Sequence, residues 1–311
     1  MIAPFSSSLR RLFWQLAGMF SSTIIPTINR PTLSRAVCSV LAQKLAAADF
    51  EVIVVNDSGH PLPDMEWQHC QGVRVVSTDR RERCVARNTG AAIARGRYFH
   101  FLDDDDVLLP DALQALWRLS LENPQVAWLY GSYQTVDDDG NLIEEVHPGI
   151  CGNIFPHLVC GESIPLQTSL LLRTYFDAAG RFDPLLIGTE DRDLGRRIAL
   201  RGAVACTAAV VAKIRIGERG STTVWNLLAE NDRRGREKAL SNHGALVRIR
   251  SSPLSSYWHG RVSRAYFASS VWNLKRKQIL TAASRARAGF ALASWCALSP
   301  DFWNGLRTKI K

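Results

Sequence analysis

A chain of 311 residues with 46% apolar and 22% charged side chains has ample length for a buried core and the composition of a soluble globular protein. No apolar run reaches the roughly 18 residues needed to cross a bilayer, which excludes a membrane-spanning reading. The net charge of +9 asks for an anionic partner: a nucleotide, an anionic lipid or nucleic acid.

Seven cysteines are scattered without any C-x-x-C, which excludes a zinc ribbon or redox dithiol. In apolar company they suggest small buried side chains in a reducing compartment, so a cytoplasmic protein is expected.

In chain order, Leu12–Phe20 is a short apolar stretch behind Arg10 and Arg11, with no A-x-A-like site after it. It reads as an ordered or membrane-touching N-terminal extension over residues 1–20. Ser22–Thr27 is β-branched and reads as a strand, with Thr32 or Ser34 capping the helix that follows. Glu51–Val55 is a second, wholly apolar strand that suits a parallel sheet buried on both faces. Val73–Val76 is a third, and a helix then carries Arg83 to Ile93.

Next comes Tyr98-Phe99-His100-Phe101-Leu102, an apolar run that stops at Asp103-Asp104-Asp105-Asp106. Pro110 and Asp111 open a further helix. Four carboxylates therefore sit at the carboxyl end of a strand, where open α/β sheets bind ligands. Adjacent negative charges repel, so a cation would stabilise such a tip. A solvated acidic turn is the plain alternative, and the flanking strand and helix weigh against it. The layout to this point is doubly wound α/β. It lacks G-x-G-x-x-G and G-x-x-x-x-G-K-[ST] loops.

Strands follow at Val126–Tyr133, Ile164–Leu172 and Val204–Ile216, with a solvated acidic turn at Asp137-Asp138-Asp139. Thr189 is placed to cap a short helix with Glu190 and Asp191 in its first turn, where the helix dipole favours negative charge.

In order, Thr23–Arg30, Val54–Gly59, Leu102–Asp106 and Gly188–Leu194, with Ala86-Arg87-Asn88-Thr89-Gly90, resemble inverting family-2 glycosyltransferases of the GT-A fold. The resemblance covers roughly residues 21–223. It implies a GT-A type, nucleotide-sugar-binding, doubly wound mixed sheet with a helical C-terminal appendage. The implied domains are 21–224 for catalysis and 225–311 for a basic helical region. It further implies Mg²⁺ or Mn²⁺ on Asp103 and Asp105, with Asp104 beside them. The nucleotide-sugar (UDP-, GDP- or dTDP-linked) would lie against Thr27, Arg30, Asp57 and Arg87. Asp191 would be the general base, supported by Glu190, and the acceptor would be a glycan or lipid-linked hydroxyl. Gln167, Thr168 and Ser169 would line the acceptor side. The pattern departs in Lys213–Thr223, which has no histidine to ligate a metal, so Arg215 or Arg219 is expected near the diphosphate. His147 and His157 are candidate ligands in principle.

From Ala239 onward the only acid is Asp301 among twelve Lys and Arg residues, interleaved with Trp258, Trp272, Trp295 and Trp303. That mixture suits peripheral contact with an anionic membrane, here its inner face. No nucleic-acid motif accompanies the charge, and no nucleic-acid partner is expected. Competing readings are a glycoside hydrolase with two carboxylates, a nucleotidyltransferase, and a catalytically inactive nucleotide-sugar-binding or scaffold protein.

Overall fold

The computed structural model describes residues 18–45, 49–79, 82–217, 225–294 and 296–308. The first half runs β1 (Ser21–Thr27), α1 (Leu33–Leu41), β2 (Phe50–Asn56), β3 (Val73–Ser77), α2 (Arg83–Ile93) and β4 (Tyr98–Phe101). It continues through β5 (Val107–Leu108), α3 (Ala112–Glu122), β6 (Trp128–Val136) and β7 (Leu142–Val146). Then come α4 (Phe155–Val159), β8 (Ser169–Leu172), α5 (Arg173–Ala178), α6 (Glu190–Ala199) and β9 (Val204–Arg215). Five helices close the chain: α7 (Trp225–Leu240), α8 (Ala245–Arg250), α9 (Ser256–Lys275), α10 (Ile279–Ala293) and α11 (Pro300–Arg307).

One mixed sheet takes the order β3-β2-β1-β4-β8-β6-β9-β5, with β7 paired to β6. β3, β2, β1 and β4 are parallel. β8 runs antiparallel to both β4 and β6. The unbroken apolar run Val52–Val55 in β2 follows from burial on both faces. Successive residues point to opposite sides, so Ile24, Ile53 and Val55 enter one core cluster while Ile25, Val52 and Val54 enter the other. The first cluster continues through Leu194 and Ile198 of α6 into Ala239, Ile249, Val262 and Tyr266 of the closing helices. Those helices thus share a core with the sheet. A buried ion-pair chain, Arg196–Asp232–Arg236, crosses between α6 and α7 at 2.7 and 2.9 Å.

Two details fix the acidic tip. Gly96, between α2 and β4, lies against the Ser21–Ser22 backbone so closely that a Cβ would overlap it. His100, wholly buried in β4, bonds Thr23 Oγ1 through Nδ1 at 3.1 Å and the Gln167 carbonyl through Nε2 at 3.0 Å. Burial holds its imidazole down at about 4, with the Gln167 carbonyl opposing. A base with a depressed folded pKa supports the fold above its unfolded value near 6.5. As pH falls from there to about 4, the unfolded chain takes a proton that the fold refuses. His100 should therefore withdraw up to about 3 kcal/mol of stability across that window. Urea midpoints followed from pH 7 to 4 should fall more steeply in the parent protein than in His100→Asn. Parallel curves would remove His100 as the cause.

The structure also corrects expectations. The segment expected as one strand from Ile164 to Leu172 is a 3-10 turn at Leu166–Thr168 followed by β8 alone. Neither Thr32 nor Thr189 caps with its side chain. Instead Thr189 Oγ1 donates to the Leu186 carbonyl. Cys84 and Cys160 are buried as expected, but Cys38 and Cys70 are exposed. Cys151 and Cys206, 55 residues apart, are joined as a disulfide, where small unpaired thiols were expected. Most of Leu12–Phe20, as well as Arg219 and Trp295, lies outside the described residues.

Candidate active site

The four carboxylates after β4 do four different things. Asp104 is buried; it accepts from Thr27 Oγ1 at 2.6 Å and from Arg30 Nη1 at 2.8 Å. It ties the acidic tip to the end of β1. Asp105 is half-buried and accepts from the same Arg30 nitrogen at 3.0 Å. Burial pushes its carboxyl above the usual range, and Asp103 and Asp104 add to this against the pull of Arg30. Asp106 turns inward and accepts the Arg215 backbone N–H at 2.8 Å, fastening β9 to the tip. Its carboxyl is raised well above the usual range by burial and by Asp103.

Asp103 faces α2 and α6. Its Oδ1 accepts from Arg87 Nη2 at 2.7 Å and its Oδ2 from Gln167 Nε2 at 3.0 Å. Burial works against its charge, but the Arg87 guanidinium, with Arg83 and Arg30 beyond, brings it below the usual carboxylate range. Arg87 itself is buried, with its guanidinium 5.3 Å over the Phe182 ring. Its second nitrogen donates to Glu190 Oε1 at 3.1 Å. Despite the burial, Asp103 and Glu190 hold Arg87 above its ordinary value. One side chain on α2 therefore joins the acidic tip to the first turn of α6.

Glu190 is buried, and its Oε2 has no hydrogen-bond partner among the described residues. Burial and neighbouring Asp191 raise its carboxyl, with Arg87 and Arg83 opposing. Asp191 is half-buried and accepts only its neighbour's N–H, Arg192, at 2.7 Å among the described residues. A carboxylate without an ion pair leaves its oxygens open to an incoming hydroxyl.

Asp57, at the end of β2, is buried against the α2 entry. It accepts from Thr78 Oγ1 and from the Glu82 backbone N–H. The arrangement places Thr27, Arg30, Asp57, Arg87 and Asp103–Asp105 at the carboxyl ends of the parallel strands, the edge where such sheets bind ligands.

For a divalent ion the tip offers only oxygen donors, which suits Mg²⁺ or Mn²⁺. No group of three acidic, histidine or cysteine side chains converges among the described residues. Magnesium commonly needs no more than one or two carboxylates plus substrate phosphates, and Asp103 and Asp105 can supply them. Burial raises the Asp105 carboxyl, and an added positive charge at the tip would favour its ionised form.

Arg215 does not face this tip with its side chain: the guanidinium pairs with Asp138 at 2.7 Å. Asp138 is thus ion-paired, while Asp137 closes its turn by accepting from Asn141 and Asp139. His147 bonds Ser132 and Glu145, and His157 meets the Trp258 ring edge-on. Sequence reasoning missed Arg83, whose Nη1 lies 3.6 Å from Glu190, and the structural use of Asp106. The i, i+4 spacing of Arg83 and Arg87 on one helix face was the available signal for the first.

Residues 22–173 match the family model described as glycosyl transferase family 2. An uncharacterized glycosyltransferase of Rickettsia felis is 28% identical over 200 residues, covering 63% of this chain and 33% of that protein. The poly(ribitol-phosphate) beta-N-acetylglucosaminyltransferase TarP of Staphylococcus aureus is 32% identical over 108 residues, covering 33% of each. The chain thus spans about a third of the length of these curated relatives. A crystal structure of S. aureus TarS residues 1–349 with UDP-GlcNAc superposes with a TM-score of 0.58 at 17% identity, over 93% of this chain and 80% of that one. Residues 22–173 thus match glycosyl transferase family 2 in sequence, and the sheet and helices of the chain follow the TarS fold.

Proposed function

We propose that this chain transfers a sugar from a nucleotide-sugar donor to a hydroxyl of a glycan or lipid-linked acceptor in surface-polysaccharide synthesis, with inversion. The observation that carries this reading is Arg87, bonded at once to Asp103 of the acidic tip and to Glu190 beside Asp191. It brings a site for a charged leaving group and a site for a base into one cleft.

Asp57, Thr27 and Arg30 take the nucleoside side of the donor, at the ends of β1 and β2. Asp103 and Asp105 would hold Mg²⁺ or Mn²⁺, which when bound offsets charge on the departing diphosphate. Asp191 removes the acceptor hydroxyl proton as the oxygen attacks the anomeric carbon. The unpartnered Oε2 of Glu190 is free to accept a hydrogen bond from the acceptor and orient it. A single base opposite the leaving group gives inversion.

The UDP-GlcNAc bound by TarS makes UDP-sugars the first donors to test. Calorimetric titration with UDP-, GDP- and dTDP-sugars, with and without Mn²⁺, should give binding to one nucleotide class that strengthens with metal. Slow donor hydrolysis should accompany it. A folded protein that binds none of them would sink the transfer reading in favour of an inactive scaffold.

A further inference from the structure

Residues 274 to 280 turn from α9 into α10, and all seven are exposed. Leu274, Ile279 and Leu280 are 58%, 66% and 87% accessible, interleaved with Lys275, Arg276 and Lys277. The exposure continues along α10. Leu280, Ala283, Arg287 and Phe290 are all exposed at spacings of three, four and three, so they share one face. That face runs about 15 Å along the helix axis. Phe290 is 67% accessible although its ring packs at 5.0 Å on Phe267. Contiguous exposed apolar side chains of this kind mark an interaction surface.

Beside the turn lies a groove of about 550 Å³ lined by Arg233, Trp272, Lys275 and Arg276 among others. It shares Arg233, Ala268 and Trp272 with a second cavity of about 350 Å³ that also takes in Arg236 and Arg264. Arg276 stacks 4.0 Å over the Trp272 ring, whose Nε1 donates to Glu230. Glu230 also lines the groove and pairs with Arg276 and Arg233, so three cations face one carboxylate beside the Trp272 ring, and the groove opens next to the aliphatic turn.

We propose that the α9–α10 turn, the outer face of α10 and this groove form a docking surface for an anionic lipid bilayer. Aliphatic side chains enter the acyl boundary, lysines and arginines meet headgroup phosphates, and Trp272 sits at the interface level. Charge complementarity selects this occupant. Between residues 239 and 300 the chain has no acid at all. A second copy meeting this surface with its own would oppose Lys275, Lys277 and Arg287 to themselves. Nucleic acid would match the charge but leave Leu274, Ile279 and Leu280 in water. No helix among the described residues is long and apolar enough to cross a membrane, so the surface lies on the bilayer.

The surface is separate from the Asp103–Asp191 cleft, and its test reads binding alone. Full-length protein should sediment with vesicles of equimolar phosphatidylcholine and phosphatidylglycerol, and far less with phosphatidylcholine alone. Leu280→Ser with Phe290→Ser should weaken partitioning roughly a hundredfold. Lys275→Gln with Lys277→Gln should weaken it roughly tenfold, on the anionic vesicles only. All four positions are exposed, and unchanged circular dichroism and melting would show that the fold is intact. Glycerol phosphate tested as a free competitor should not displace the protein from vesicles. Three results would each overturn the proposal: no sedimentation with either vesicle, sedimentation unaffected by both double variants, or full displacement by glycerol phosphate. The last would reassign the groove to a soluble phosphate ligand.

Discussion

Asp191→Asn should lower kcat by about 10²–10⁴-fold while leaving donor affinity unchanged. The substitution keeps size and shape. The asparagine carbonyl can still accept the Arg192 N–H that Asp191 accepts at 2.7 Å, so the first turn of α6 has no reason to move. What it removes is the ability to take a proton. Asp191 is half-buried without an ion pair among the described residues, whereas Glu190 is buried beneath Arg87 and Arg83. That contrast separates the two carboxylates. The half-buried one leaves an oxygen open to an acceptor hydroxyl, and the buried one is held in place to orient. Glu190→Gln should therefore cost less in kcat than Asp191→Asn, and more of its effect should appear in the acceptor KM. Steady-state rates with a responsive donor and acceptor measure both. Equal turnover in Asp191→Asn and the parent would exclude Asp191 as the base.

Elements governed by local pattern were legible. β1 announces itself by β-branched residues, and β2 by the apolar run Val52–Val55, because both faces of the sheet are covered. The acidic tip sits where the apolar run of β4 ends, and α6 begins at Glu190 as its acids and apolar spacing require. What resisted reading depends on contacts between distant residues. Nothing near Asp106 in sequence indicates that it holds β9, since its partner lies 109 positions away. Arg215, with Arg219, was expected near the diphosphate because Lys213–Thr223 has no histidine where the family pattern supplies a metal ligand. The fold puts Asp138 within 2.7 Å of Arg215, and the ion pair wins. Cys151 and Cys206 meet because β9 carries Cys206 past the loop after β7, with Gly152 bridged to Val204. Spacing along the chain carries no trace of that. Gln167 was read as lining the acceptor side or as a core polar residue, and its bond to Asp103 from the turn at Leu166–Thr168 was visible in neither reading.

Arg87→Met should be the most destabilising single change at the site. Arg87 is buried, and it is the shared partner of Asp103 at 2.7 Å and Glu190 at 3.1 Å. Removing one member of a buried ion pair strands the other, at about 3–5 kcal/mol. Burial already raises the Glu190 carboxyl, and Arg87 is the largest opposing influence. Without it the Glu190 carboxyl should rise further, which eases its neutralisation and limits the loss towards the lower end of that range. Asp103 keeps its bond to Gln167 and lies closer to solvent, so it contributes less to the penalty. Replacing both partners should be milder than replacing one, because no buried charge is then left alone. Arg87→Met with Glu190→Gln is therefore expected to recover a good part of the lost stability, but not the activity. Urea denaturation of the single and double variants, with donor titration on each, separates these effects. If Arg87→Met alone shifts stability by less than about 1 kcal/mol and binds donor normally, the bridge from the acidic tip to α6 is a surface-like contact. The cleft would then have to be held together by the backbone around Gly96 and Asp106 instead.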